Sequence, residues 1–118
     1  MLLKVLRAKI HRATVTEAKI EYVGSITIDR DLMDATGLVA GECVLVADMT
    51  DGARFETYVM EGERGSGIIC INGAAARLVT PGDEVIIMAF GYFTEDEVAE
   101  LTPKIALVDG NNRVTNQI

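Results

Sequence analysis

The sequence contains no tryptophan, two prolines, two cysteines and a single histidine, and aromatic residues make up only 5% of it. Each shortage removes a class of protein. One histidine and two widely separated cysteines cannot supply the clustered nitrogen and sulfur ligands of a structural zinc site, so no metal is expected. Two cysteines also fall short of a disulfide framework. Cys43 (in Glu42-Cys43-Val44-Leu45) and Cys70 (in Ile69-Cys70-Ile71) are flanked by β-formers, and both are expected to be buried thiols in a reducing cytoplasm. Basic residues are outnumbered 11 to 18, for a net charge of -7. That balance argues against nucleic acid as a partner, because phosphate binding needs a basic face. No apolar run approaches the ~20 residues of a membrane-spanning helix. The longest, Val85 to Phe93, is broken by Gly91 and reads as a buried strand, so no membrane partner is expected.

What is present is a chain of 118 residues, 49% of them hydrophobic and 25% charged. It is long enough for one domain, residues 1–118, and too short for two of ordinary size. Short β-rich stretches open it: Leu3 and Val5, Lys9 to His11, Thr14 to Thr16. The two-residue alternation continues through Ile20, Tyr22, Ile26 and Ile28. Asp29 is placed to cap a short helix through Leu32 and Met33, with Gly37 to end it. Val44 to Ala47 and Arg54 to Met60 read as strands joined across Thr50-Asp51-Gly52, a hairpin signal. Ile68 to Ile71 is a further strand, followed by Asn72-Gly73-Ala74-Ala75-Ala76, a sharp turn into one helical turn. Thr80-Pro81-Gly82-Asp83 leads into a strand over Glu84 to Phe90. Thr94 and Glu97 form a capping box for a helix ending before Pro103. Ile105 to Val108 is a last strand, and the residues after Asn112 read as a loose tail. Many short strands with a few short helices favour a small β-barrel.

Several residues could carry chemistry. A serine preceded by glycine, as in Tyr22-Val23-Gly24-Ser25, can attack the preceding carbonyl, because a residue without a Cβ leaves that carbonyl accessible and tolerates strained conformations. Elimination from the resulting ester, then hydrolysis, would leave a pyruvoyl cap, an electrophile no encoded side chain supplies. The pair is also ordinary turn punctuation, and Gly65-Ser66 repeats it. Lys9 and His11 share one side of a strand and could present two cationic donors to a carboxylate, or simply form a solvated strand edge. Arg54 could clamp a carboxylate and Tyr58 could donate a proton; surface arginine and half-buried tyrosine are the plainer alternatives. Alternation places Arg54, Glu56 and Tyr58 on one face of their strand and Phe55, Thr57 and Val59 on the other.

Taken in order, Lys9-Ile10-His11-Arg12, Tyr22-Val23-Gly24-Ser25, Arg54-Phe55-Glu56-Thr57-Tyr58, Glu63-Arg64-Gly65-Ser66 and Asn72-Gly73-Ala74-Ala75-Ala76 resemble the pyruvoyl-dependent aspartate alpha-decarboxylase family. The likeness spans nearly the whole chain and includes Thr14-Val15-Thr16, Ile26-Thr27-Ile28-Asp29 and Pro81-Gly82-Asp83. It implies a double-psi β-barrel, a homotetramer with shared active sites, and conversion of L-aspartate to β-alanine for pantothenate and coenzyme A synthesis. It implies self-cleavage between Gly24 and Ser25 into chains 1–24 and 25–118, with Ser25 becoming the pyruvoyl cofactor and neither metal nor pyridoxal phosphate required. By the same resemblance Thr57 assists cleavage, Tyr58 is the proton donor, and Lys9, His11, Arg54, Thr57, Asn72, Gly73, Ala74 and Ala75 bind substrate. Glu21, where relatives often have histidine or asparagine, and Val23, acidic in some of them, depart from the pattern beside the cut. An accessory maturation factor is left open. Two rivals stand beside this reading: cleavage that stops at the ester and leaves Ser25 as an amino-terminal nucleophile, and an uncleaved barrel acting as a binding module, with the basic start as its ligand patch.

Overall fold

A 13-residue strand, β1 (Leu2–Thr14), frames the molecule. The computed structural model describes residues 1–118. After β1 come β2 (Glu17–Lys19), β3 (Ser25–Asp29), β4 (Cys43–Asp48), β5 (Arg54–Gly62), β6 (Ile69–Asn72), β7 (Glu84–Thr94), β8 (Lys104–Val108) and β9 (Val114–Gln117). Their order in the sheet is β2-β6-β3-β5-β4-β7-β1-β8-β9. Because β1 runs into β2 across only Val15 and Thr16, the strand at one edge of that order is continuous with one near the other. The sheet therefore curls closed. The junction is tied by backbone bonds from Val15 N–H to the Asp83 carbonyl (2.9 Å) and from Thr16 N–H to the Ile69 carbonyl (2.8 Å).

Closure buries one apolar set. Ile10, Ile26, Ile28, Ile69, Ile71 and Ile87 alternate inward from four strands, and Leu32 and Met33 of the helix α1 (Arg30–Thr36) pack onto them. Truncating any one of these to alanine would cost about 2–5 kcal/mol.

The helix ends follow their local chemistry. Asp29 accepts from the Asp31 N–H at 2.8 Å, and Gly37 closes α1 in the left-handed conformation, φ +76°. The second helix, α2 (Glu95–Glu100), carries the complete Thr94–Glu97 capping box. Gly73–Leu78 form a 3-10 helix.

Asp29 does more than cap. It is 1% exposed and also accepts from the Gly65 and Gly67 N–H groups at 3.0 and 2.8 Å. Burial pushes its carboxyl upward, but bonds from Asp31, Gly67 and Gly65 outweigh that and hold it below the usual carboxylate range.

Three expectations change. β1 is one strand and not a series, because pairing with β7 absorbs its irregularities at register shifts between Leu6 and Ala8 and between Ile10 and Ala13; Arg12, at φ +65°, lies in the second. β7 runs through Gly91 to Thr94, and a Cβ at Gly91 would meet the Phe93 ring at 2.6 Å. The tail is ordered: β9 pairs with β8, and Asn112 pins the preceding loop through bonds with the Thr14 N–H and carbonyl and the Gly67 carbonyl, each 2.8 Å.

Candidate active site

Ser25 is the first residue of β3, and the strand places it between two partners. On one side it faces Asn72 across the antiparallel pair with β6. On the other, the parallel register Ile26 to Val59 sets it beside Tyr58 of β5. Ser25 is 5% exposed, and its Oγ accepts a hydrogen bond from Asn72 Nδ2 at 2.9 Å. The same Nδ2 donates to Thr27 Oγ1 at 3.2 Å. Period-two alternation puts Ser25 and Thr27 on one face of β3, while Ile26 and Ile28 take the opposite one. Ser25, Thr27, Tyr58 and Asn72 line an open cavity of about 570 Å³.

The turn between β2 and β3 delivers Ser25 to this position by packing on the 3-10 helix. Gly73 has φ +74°, and a Cβ there would lie 2.7 Å from Gly24 Cα, 2.9 Å from Gly24 N and 3.2 Å from the Tyr22 carbonyl oxygen. Only glycine allows that approach. Gly24 itself differs from expectation: a Cβ would meet nothing within 4 Å, and its φ lies outside the left-handed region. The uncut backbone is therefore not left-handed at Gly24, and the space beside its Cα on the Cβ side is open.

The other predicted residues fall into two groups. Asn72, Gly73, Ala74 and Ala75 form the end of β6 and the start of the 3-10 helix. Asn72 makes no side-chain cap, its amide being committed to Ser25 and Thr27. Of the first group only Asn72 lines the cavity, and Lys9, His11, Arg54 and Thr57 do not line it either. Lys9 and His11 lie on β1 beside β8. Arg54 starts β5, four residues before Tyr58 and on the same exposed face. Thr57 is half-buried on the opposite side of β5, where it pairs with Val44. Its hydroxyl makes no hydrogen bond to the Gly24 carbonyl.

Electrostatically the cavity of one chain is unusual for an acidic substrate. Glu21 and Glu61 border it and no basic residue does. Lys9 and Arg54, in contrast, take part in none of the chain's ion pairs. His11 is not the cation expected from sequence: burial, Lys9 and Arg12 together hold its imidazole below the ordinary histidine range, so it is mainly neutral at pH 7. Its Nδ1 is buried without a hydrogen-bond partner.

Three features escaped the sequence reading. Thr27 belongs to the Asn72 network, and the alternation that pairs it with Ser25 was a usable signal. Cys70, 3% exposed, places its Sγ 3.2 Å from Asn72 Oδ1. Cys43 is exposed and not buried as expected, with its Sγ 3.4 Å from Glu56 Oε2. Among groups of histidine, cysteine, aspartate and glutamate, none is arranged to hold a metal ion.

A buried serine hydroxyl held by an amide, after a glycine and beside a phenol, is a site suited to acyl shift and proton transfer on a small β-barrel. The fold is a double-psi β-barrel: a rationally designed protein of that architecture aligns with TM-score 0.50 and 19% identity, covering 67% of this chain and 92% of its own. Sequence comparison narrows the class. A profile described as aspartate decarboxylase matches residues 1–115. Aspartate 1-decarboxylases from Bacillus cereus strains G9842 and B4264 are 59% and 58% identical over 114 residues, and one from Bacillus thuringiensis strain Al Hakam is 55% identical; each alignment covers 97% of this chain and 90% of the relative. The chain belongs to the aspartate decarboxylase family.

Proposed function

We propose that this protein decarboxylates L-aspartate to β-alanine and carbon dioxide for pantothenate and coenzyme A synthesis, using a pyruvoyl group formed from its own Ser25. Family membership supports the reaction. The observation that carries the cofactor assignment is the buried Ser25 Oγ, held by Asn72 in a cavity that also contains Tyr58.

Self-processing starts when Ser25 Oγ adds to the Gly24 carbonyl carbon. The Gly24–Ser25 amide C–N bond breaks, an ester forms, and the hydroxyl proton ends on the Ser25 nitrogen. Loss of the Ser25 α-proton then expels the Gly24 carboxylate and leaves dehydroalanine. Water hydrolyses this to the ketone with release of ammonia, giving chains 1–24 and 25–118. The surroundings fit such a group: a Cβ at Gly24 would meet nothing within 4 Å, and Asn72 Nδ2 donates to the Ser25 Oγ that makes the attack.

A pyruvoyl group at position 25 would supply an electron sink for the pair left on the substrate α-carbon when carbon dioxide departs. Tyr58, beside Ser25 in the sheet, returns a proton to that carbon. Lys9, Arg54 and the neutral His11 hold the carboxylates, with Thr57 assisting cleavage and Asn72 to Ala75 walling the site. These basic residues reach the cavity from a neighbouring subunit of a homotetramer. Two features support that arrangement. The cavity of one chain has acidic borders, while Lys9 and Arg54 lack ion-pair partners. Around the cavity Tyr22, Val23 and Met60 are 58%, 84% and 47% exposed, an apolar rim that a second copy would cover. We place the reaction in the cytoplasm, where Cys43 and Cys70 stay reduced.

The test is to incubate the purified protein with L-aspartate and quantify β-alanine and carbon dioxide, with Ser25→Ala alongside. Equimolar products from the unaltered protein and none from Ser25→Ala are expected. Equal turnover by the two would overturn the assignment.

A further inference from the structure

Asn72 can serve self-cleavage in only one of its two amide orientations. With Nδ2 toward Ser25, the serine oxygen accepts a bond, its own proton is free to leave, and the N–H stabilises the alkoxide character that Oγ gains as that proton departs. With the amide rotated by half a turn, Oδ1 would accept the Ser25 and Thr27 hydroxyl protons and hold Ser25 in its unreactive form. Ser25 and Thr27 do not choose between these orientations, since a hydroxyl both donates and accepts. The choice falls to whatever touches the other end of the amide.

That neighbour is Cys70. It lies two residues before Asn72 on β6, so both side chains project from the same face. Its Sγ is 3.2 Å from Asn72 Oδ1 and 4.0 Å from Glu17 Oε2. The Glu17 carboxylate is engaged elsewhere, 3.0 Å from Lys19 Nζ. Asn72 is thus the nearer acceptor for the thiol proton. Burial first, and Glu17 second, push the Cys70 thiol above the usual cysteine range, against the opposing effect of Lys19. At neutral pH it therefore keeps the proton that makes it a donor. A thiol donates and only weakly accepts, so it favours Oδ1 over Nδ2 at that end.

We propose that Cys70 is a positioning residue for self-cleavage: its S–H fixes the Asn72 amide so that Nδ2 points at Ser25 Oγ. The inference rests on cleavage at Gly24–Ser25. It concerns Cys70 alone, which takes no part in the bonds made or broken.

The experiment follows cleavage directly, by intact mass, in chains freshly made by cell-free translation, with the melting temperature of each variant measured in parallel. Cys70→Ala removes the donor while keeping a small apolar side chain; Cys70→Ser restores a donor but buries a more polar group. The first-order rate is expected to fall about fivefold or more in Cys70→Ala, the worth of one ordinary hydrogen bond, and to recover to within about twofold in Cys70→Ser. A purely structural role would rank them the other way, since buried serine is the less comfortable replacement. Cys70→Ala cleaving within twofold of the unaltered chain, or Cys70→Ser no faster than Cys70→Ala, would overturn the proposal. No cleavage in the unaltered chain would instead remove the reading on which it rests. An independent measurement covers poor folding of Cys70→Ala. In the uncut Ser25→Ala protein, with Cys70 intact, the Asn72 side-chain amide protons should show nuclear Overhauser effects to the Thr27 side chain. Effects to the Cys70 β-protons in their place would also overturn the proposal.

Discussion

Replacing Gly73 by alanine should damage this protein far more than replacing Gly24, although the two glycines touch. At Gly73 the backbone is left-handed, φ +74°, which costs a residue with a Cβ about 1–2 kcal/mol. The new methyl would lie 2.7 Å from Gly24 Cα and 2.9 Å from Gly24 N, atoms of backbone that no rotamer change can move aside. Overpacking of that kind adds about 1–3 kcal/mol, for a total of about 2–5 kcal/mol. At roughly 4 °C per kcal/mol for a chain of this size, the melting temperature should fall by about 8–20 °C. A Cβ added at Gly24 would meet nothing within 4 Å, and its φ is not left-handed, so alanine should be neutral or gain up to ~1 kcal/mol by restricting the unfolded chain. Both substitutions belong in the Ser25→Ala background, so that cleavage does not confound unfolding, and the assay is thermal and urea denaturation followed by circular dichroism. A Gly73→Ala midpoint within about 2 °C of its parent, or equal losses at the two sites, would refute the close packing of the β2–β3 turn on the 3-10 helix.

Tyr58→Phe should fold and cleave normally but decarboxylate at least about 100-fold more slowly, the usual worth of a general acid; normal turnover would remove Tyr58 from that role. Asp29 has a depressed pKa when folded, so its stabilisation is present above the unfolded carboxyl range and is lost as pH falls through the folded value. Urea midpoints of the Ser25→Ala protein measured at decreasing pH should therefore decline below about pH 4, and Asp29→Asn should lower the plateau and flatten that decline; an unchanged profile would discount the Gly65 and Gly67 bonds. Asp48 behaves in the opposite sense. It is 1% exposed, its Oδ2 has no hydrogen-bond partner, and burial together with the Asp83 carboxyl raises its pKa. Its favourable contribution is complete below the unfolded carboxyl range and is lost as pH rises through the folded value. Asp48→Asn should remove that loss and make stability at pH 7 equal to or above that of its parent; a clear destabilisation would contradict a raised Asp48 pKa.

The parts of the fold legible in the sequence were those fixed by near neighbours. Asp29 and Gly37 bound α1, Thr94 and Glu97 start α2, and Asp51-Gly52 turns β4 into β5 because each is a contact over a few residues. The alternation of β5 was equally readable, and Arg54, Glu56 and Tyr58 share its exposed face. Features made by distant pairing were not. β7 holds β1 together as one strand across two register shifts, and β8 with Asn112 orders the tail. Cys43 and Cys70 have similar apolar flanks, yet Cys43 is exposed on β4 while β2 and β3 cover Cys70 on β6. At the site, the ordered motifs named Ser25, Tyr58 and Asn72. The links of Thr27 and Cys70 to Asn72 emerge only when β3 and β6 lie side by side.

Intact mass measurement of the purified protein, with a chemical test for a free amino terminus on the longer fragment, addresses the self-made cofactor most directly. Two fragments meeting between Gly24 and Ser25, the longer one blocked and carrying a reactive ketone, are expected. A single unmodified chain, or a longer fragment that begins with an intact amino-terminal Ser25, would contradict a pyruvoyl enzyme.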